Sequence, residues 1–288
     1  MVASWKELYP FSEHWIDANG GRQHYVDEGK GDPILFVHGN PTWSFYWRSA
    51  IVHFRDRYRC VAPDHIGCGR SDKPQDWSYR LADHIGNLEN LVLKLDLRNI
   101  TLVVHDWGGA IGLGMAGRHP DRIARLCITN TAAFPSSRIP LRIAMCRSPG
   151  FGALAVQGFN GFAGAATIMA SEKGLSPQVK AGLLAPYDSW ANRIATLRFV
   201  EDIPMDPAHP SYATLQGVEQ GLARLSHLPT TLCWGEKDWC FTPHFREEFQ
   251  RRMPAAEVVK VEEAGHYVME DAPERVQDCL EQLLKRSA

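Results

Sequence analysis

The most constraining stretch of the chain is Thr101-Leu102-Val103-Val104-His105-Asp106-Trp107-Gly108-Gly109, which opens a Gly/Ala-rich segment running to Arg118. A short apolar, β-branched run reads as a buried strand. The nearly side-chain-free residues behind it let a helix start close against that strand. Such a junction, a nucleophile elbow, turns sharply enough to push one side chain out above the sheet, and here that side chain is Asp106. The plain alternative is an Asp that caps a helix N-terminus.

Further runs of the same kind are Pro33 to His38, Tyr58 to Pro63, Arg125 to Asn130, Thr230 to Trp234 and Glu257 to Val261. Between the second of these and Thr101, residues from Leu81 to Leu97 carry Ile85, Leu88, Leu91, Val92 and Leu95 at helical spacing. Buried strands alternating with helices predict an α/β fold, a mostly parallel sheet covered on both faces. From about Ala133 to Tyr212 no strand pattern occurs, and Ser171 to Val200 reads as helix. This predicts a core of residues 1–132 and 213–288 with a helical cap, 133–212, inserted over the strand ends. Pro273 to Leu284 closes the chain as an amphipathic helix with Pro at its start.

Within the cap, glycines at 150, 152, 158, 161 and 164 alternate with Phe151, Phe159 and Phe162. Each interior Gly costs a helix about 1 kcal/mol relative to Ala, so a rigid helix is not expected here. The plain expectation is a mobile cap edge packed by the three phenylalanines. The sharper one is an edge that opens for long alkyl chains, or docks on a partner or a neighbouring subunit to make a homo-oligomer.

Composition removes whole classes of function. Lys and Arg total 31 against 33 Asp and Glu, a net charge of −2. That balance leaves no electrostatic footprint for nucleic acid or an anionic membrane. No apolar run is long enough to span a bilayer, and the stretch through Asp17 has no apolar h-region. The cysteines, odd in number and without a C-x-x-C pair, read as reduced thiols of a cytoplasmic protein. No H-E-x-x-H or Cys/His cluster is present, so neither a metal nor a cofactor is implied. Asp64-His65-Ile66-Gly67-Cys68-Gly69 lacks the phosphate-loop pattern and reads as a tight turn.

Three more pieces fall at strand ends in a telling order. His38-Gly39-Asn40-Pro41 follows the first run, where oxyanion-hole backbone is supplied in folds of this kind. Trp234-Gly235-Glu236-Lys237-Asp238 follows a later run and offers an acid, and Glu263-Ala264-Gly265-His266 follows the next. The order Asp106, Asp238, His266 is that of nucleophile, acid and base in an α/β-hydrolase triad, with a carboxylate in the nucleophile slot.

The chain resembles the haloalkane dehalogenase branch of the α/β-hydrolases over essentially its whole length. The likeness rests on His38 to Trp43, Asp64 to Asp72, His105 to Gly109, Asp238 and Gly265-His266. It implies that the Asn40 amide and the Trp107 indole hold a leaving halide. Both side chains carry N–H donors, which suit negative charge growing on a leaving group. Some relatives place the acid where this chain has Asn130 and Thr131, so Asp238 is the acid expected here. Ala185 to Arg193 and Arg198 to Val200 resemble a third dehalogenase subfamily. That subfamily includes enzymes resembling the β-lactone decarboxylase of bacterial long-chain olefin synthesis. Tyr187, Trp190 and Phe199 are expected to pack this motif.

The expected chemistry is attack by Asp106 on an sp3 carbon of a small hydrophobic haloalkane, with loss of a halide ion. Water deprotonated by His266, which Asp238 orients, then opens the alkyl ester and yields an alcohol. Backbone N–H groups of Asn40 and Trp107 would hold the oxyanion. The same first step on a β-lactone expels a carboxylate, and the two donors serve either anion. An epoxide hydrolase would need acidic lid hydroxyls, for which only Tyr187 and Tyr212 stand nearby. A non-catalytic hydrolase-fold binding protein is the rival of another class.

Overall fold

The computed structural model describes residues 4–148 and 150–286. Eight strands form one sheet: β1 (His14–Ala18), β2 (Gly21–Glu28), β3 (Pro33–Val37), β4 (Arg59–Pro63), β5 (Ile100–Asp106), β6 (Ile123–Thr131), β7 (Thr230–Gly235) and β8 (Glu257–Val261). Their spatial order is β1-β2-β4-β3-β5-β6-β7-β8. The pairs β1–β2 and β2–β4 are antiparallel and all others parallel. All six strand runs named from the sequence are present within two residues. β1 and β2 extend the sheet at one edge.

Helices cover both faces, as two apolar layers on a parallel sheet require. On one face α2 (Leu81–Lys94), α3 (Trp107–Arg118), α9 (Tyr212–Leu225) and α10 (Pro243–Arg252) bury Leu35, Val37, Leu102 and Val104. On the other, α1 (Arg48–Phe54), α11 (Val268–Asp271) and α12 (Pro273–Leu284) bury Ile34, Phe36, Val103 and Cys127. Alternate residues of the same strand therefore feed separate cores, and β3 and β5 are buried along their whole lengths.

Between β6 and α9 the chain is helical: α4 (Leu141–Cys146), α5 (Phe151–Ala153) running into a π-helical turn (Leu154–Gly158), α6 (Gly161–Met169), α7 (Pro177–Leu184) and α8 (Ile194–Glu201). Ser171 to Val200 is thus helical but broken, with Ser176 capping α7 through the Val179 N–H and Pro186 following its end. The glycine-rich segment is more regular than its composition predicts. Its glycines serve close approaches: a Cβ on Gly152 would strike the Cys146 carbonyl, and one on Gly161 would press on that of Ala155. Gly150, at φ +73°, turns the chain into α5, and Asn160, at φ +51°, breaks it before α6. The three phenylalanines do not pack together, since Phe151 and Phe159 are exposed and only Phe162 turns inward.

Candidate active site

Parallel strands end together, and the loops beyond their carboxyl ends are where an open α/β sheet binds ligands. Here β3, β5, β7 and β8 lead directly into Asn40, Asp106, Asp238 and His266. β4 and β5 lie on opposite sides of β3, so Asn40 and Asp106 stand where the strand order reverses.

Asp106 has φ 53° and ψ −129°, a left-handed conformation costly for a residue with a Cβ and typical of functional strain. A register shift between His105 and Asp106 lifts the turn out of the ladder, and the Thr131 hydroxyl donates to the Asp106 carbonyl. The close approaches fix three glycines. A Cβ on Gly108 would strike the carbonyl of Val37, one on Gly109 the Thr131 side chain, and one on Gly39 the Asp106 carboxylate itself.

That carboxylate is almost wholly buried, and burial pushes its pKa up. His266 and the backbone N–H groups of Trp107 and Asn40 oppose the rise, the latter donating to Oδ1 at 2.6 Å. Asp106 thus already occupies the two-amide cradle that a carbonyl oxygen of its ester would use. His266 Nε2 lies 3.7 Å from the other carboxylate oxygen, and its Nδ1–H donates to Asp238 Oδ2 at 2.8 Å. Burial disfavours the His266 cation, but the Asp238 charge and hydrogen bond, with Asp106, carry its pKa above the ordinary value.

The structure brings Asp106, His266, Asp238, Asn40 and Trp107 together, and it adds supports that the sequence reading passed over. The Asn130 amide donates to Asp238 Oδ2 at 2.9 Å, and the Cys240 N–H donates to Oδ1 at 2.6 Å. Asn130 stands at the end of β6 and braces the carboxylate that in turn holds the His266 imidazole. His105, held neutral by burial, donates Nε2–H to the His266 carbonyl at 2.8 Å. Asn40 Nδ2 donates to the Thr196 carbonyl of α8 at 3.2 Å, which ties the Asn40 side chain to the helical insert.

The insert motif has a structural role. Tyr187 is buried and donates to the Thr42 carbonyl at 3.3 Å, while Arg193 binds the carbonyls of Tyr187, Gln157 and Gly158. Phe199 packs against Trp107, with ring centroids 5.1 Å apart. Trp190, by contrast, is half exposed and does not pack inward as expected. With its hydroxyl committed to Thr42, Tyr187 lines neither cleft at Asp106, and nor does Tyr212. The Asp64 turn is a built corner: its carboxylate accepts from Ser44 N, Arg70 N and His24 Nδ1, and Gly69 packs against it.

Two clefts reach Asp106. The first is walled by residues such as Trp107, Phe134, Val200, Leu215 and Phe245. The second is walled by Ala166, Met169, Trp239, His266 and Tyr267 among others. Asn40, Asp106, Ile143, Phe162 and Cys240 line both. Two apolar arms therefore meet at one carboxylate.

Comparison with known proteins agrees with this geometry. A family model described as the α/β hydrolase fold matches residues 32–273. A cis-3-alkyl-4-alkyloxetan-2-one decarboxylase of Shewanella oneidensis is 44% identical over 93% of this chain and 87% of its own. Haloalkane dehalogenase 2 of Mycobacterium tuberculosis is 34% identical over 94% of each. Among solved structures, the haloalkane dehalogenase DatA from Agrobacterium tumefaciens superposes with a TM-score of 0.87 at 30% identity, covering 96% of this chain and 97% of that one. The elbow at Asp106, the sheet order and these matches agree: the chain belongs to the α/β-hydrolase fold family.

Proposed function

We propose that the protein is a carboxylate-nucleophile enzyme that decarboxylates β-lactones carrying two alkyl chains. The observation that carries this reading is the pair of apolar arms meeting at Asp106. A four-membered lactone substituted at adjacent carbons presents one small polar ring and two hydrocarbon tails, the shape those arms accept. The similar decarboxylase of Shewanella oneidensis is named for such a compound. Asp106 attacks the alkyl-bearing sp3 ring carbon bonded to the ring oxygen, from the face opposite that oxygen. The carbon–oxygen bond breaks and the ring opens to a carboxylate received by the N–H groups of Asn40 and Trp107. The carbon–carboxylate bond then breaks, its electron pair forms the alkene, and the bond to Asp106 breaks to restore the free carboxylate. Carbon dioxide and an olefin leave without water or an oxidant. Inversion followed by departure from opposite faces keeps two cis alkyl groups cis.

Carbon–halogen cleavage is the second reading of the same site. It is favoured by the His266–Asp238 pair beside Asp106, a base positioned to activate water against an alkyl ester. In both readings Asp106 is the nucleophile; in the second Asp238 is the acid and His266 the base; and residues 133–212 act as the cap on a core of 1–132 and 213–288. All seven cysteines are unpaired, which supports a reducing, cytoplasmic setting. No helix among the described residues is long and apolar enough to cross a membrane.

The test is a parallel assay of a long-chain cis-disubstituted β-lactone and a panel of bromoalkanes, scored by olefin, carbon dioxide and halide. Olefin and carbon dioxide that disappear in Asp106→Ala support the first reading. Halide release with no olefin supports the second. Turnover of neither, with tight binding of both, would leave a binding protein.

A further inference from the structure

The helical insert carries a charge pattern that the whole-chain balance conceals. Between Asp121 and Glu172 the sequence contains no Asp or Glu, and from Ala133 to Ser171 its only charged residues are Arg138, Arg142 and Arg147. Among the described residues none of the three pairs with a carboxylate. Arg142 lies over the Trp239 ring and touches Met169, and Arg147 donates to the Ile203 carbonyl. The same segment exposes Leu141, Met145, Phe151, Leu154, Phe159 and Ile168. Leu141, Phe159 and Ile168 are 75%, 78% and 71% exposed, unusual for side chains that gain most from leaving water. α4 packs on α5, α5 runs into the π-helical turn, and that turn packs on α6, so these exposed side chains stand on one run of packed elements, the 138–168 edge.

The edge is continuous with the clefts. Arg138 is exposed and lines the first, and Arg142 is exposed and lines the second. Each arginine therefore marks where its cleft reaches the surface. Apolar side chains ringed by unpaired cations are the composition of a surface that lies in the headgroup boundary of a bilayer. A second copy of the chain fits less well, because a two-fold interface would set the same unpaired arginines against one another.

We propose that the 138–168 edge docks on an anionic lipid bilayer, with both cleft mouths turned toward the membrane. Leu141, Phe159 and Ile168 enter the acyl boundary, and Arg138 and Arg142 meet lipid phosphates. A water-insoluble ligand would then pass from bilayer to cleft without crossing water. This does not depend on which reaction Asp106 performs.

Sedimentation with vesicles tests it on the full chain. Wild-type protein should bind phosphatidylglycerol–phosphatidylcholine vesicles in a salt-sensitive way and phosphatidylcholine vesicles weakly. Removing two charges by Arg138→Gln with Arg142→Gln should weaken the anionic binding about thirtyfold. Leu141→Ser, Phe159→Ser and Ile168→Ser together should abolish binding while turnover of a short, water-soluble substrate is retained. The arginine pair keeps the test intact if the triple variant misfolds. Wild-type protein that stays in solution with anionic vesicles at low salt would overturn the proposal. So would binding indifferent to the arginine pair. A fall in particle mass of the triple variant by light scattering, with no vesicle binding by the wild type, would assign the edge to a second copy instead. Loss of turnover on every substrate would count against the reaction and not against the docking.

Discussion

Asp238→Asn changes one atom, and the surroundings of that atom decide how much activity is lost. Asp238 Oδ2 accepts from His266 Nδ1 and Asn130 Nδ2, and Oδ1 accepts from the Cys240 N–H. An amide can turn its oxygen toward His266 and Asn130, leaving only the Cys240 N–H facing another donor. Turned the other way it faces two donors and forces His266 into the wrong tautomer. The first orientation strands one buried donor and keeps His266 in its working tautomer; the second strands two, or one together with a shifted His266 proton, and each stranded donor costs about 1–3 kcal/mol. His266 should therefore keep its proton on Nδ1 and lose only the anionic partner of its cation. A hydrogen bond to a charged group contributes about 1.5–3 kcal/mol, which corresponds to a loss of about tenfold to a hundredfold. Tautomer inversion in a triad instead costs about 10⁴-fold. The assay alkylates Asp106 with a bromoalkane and follows growth and decay of the ester by intact-protein mass. Alkylation should continue, ester decay should slow about a hundredfold at most, and the acid limb of decay should move to lower pH. That direction follows because Asp238 holds the His266 pKa up in the wild type, and only neutral His266 can accept a proton from water. A loss near 10⁴ at every pH would show that the Cys240 contact dictates the amide's orientation. Unchanged decay would remove Asp238 from the reaction and turn attention to Glu236, now paired with Arg246, or to Glu262.

Three other expectations follow from the same contacts. In ¹⁸O-water, one turnover of a bromoalkane should leave label in the Asp106 carboxylate, and His266→Gln should make the ester accumulate; label confined to the first-turnover alcohol, with no trapped adduct, rejects a covalent route to hydrolysis. Gly109→Ala forces a methyl group onto the Thr131 side chain and should cost about 1–3 kcal/mol in urea unfolding; an unchanged midpoint would mean that the α3–β6 contact yields freely. Asp64 is held to a pKa of about 2: burial raises it, but the His24 hydrogen bond and charge, His38 and the Arg70 N–H prevail. A carboxyl depressed on folding contributes stability above its unfolded pKa and loses it as pH falls through the folded one. The stability gap between wild type and Asp64→Asn should therefore narrow by about 2 kcal/mol between about pH 4 and 2, and a constant gap in denaturant titrations would refute the assignment.

The sequence made the site legible for a structural reason. Each of Asn40, Asp106, Asp238 and His266 stands at most five residues beyond an apolar strand run, so finding the strands located the residues. β1 and β2 were not legible, because their buried positions include Gln23 and His24, polar side chains that each hydrogen-bond to the Asp64 turn. The supports of the site were hidden by distance: Asn130 reaches Asp238 across 108 residues, and Asn40 reaches Thr196 across 156. Glycine content misled in the insert because propensity describes an isolated helix. Gly152 and Gly161 are there to let backbones touch, a tertiary gain that outweighs their local cost. The two arms are the least legible feature. Ile143 and Phe162 sit on different helices, Cys240 follows a strand, and no spacing links them, yet all three stand where the arms meet. The proposed nucleophile is thus written locally in the chain, while the shape of the space above it is set by side chains that only the folded insert brings together.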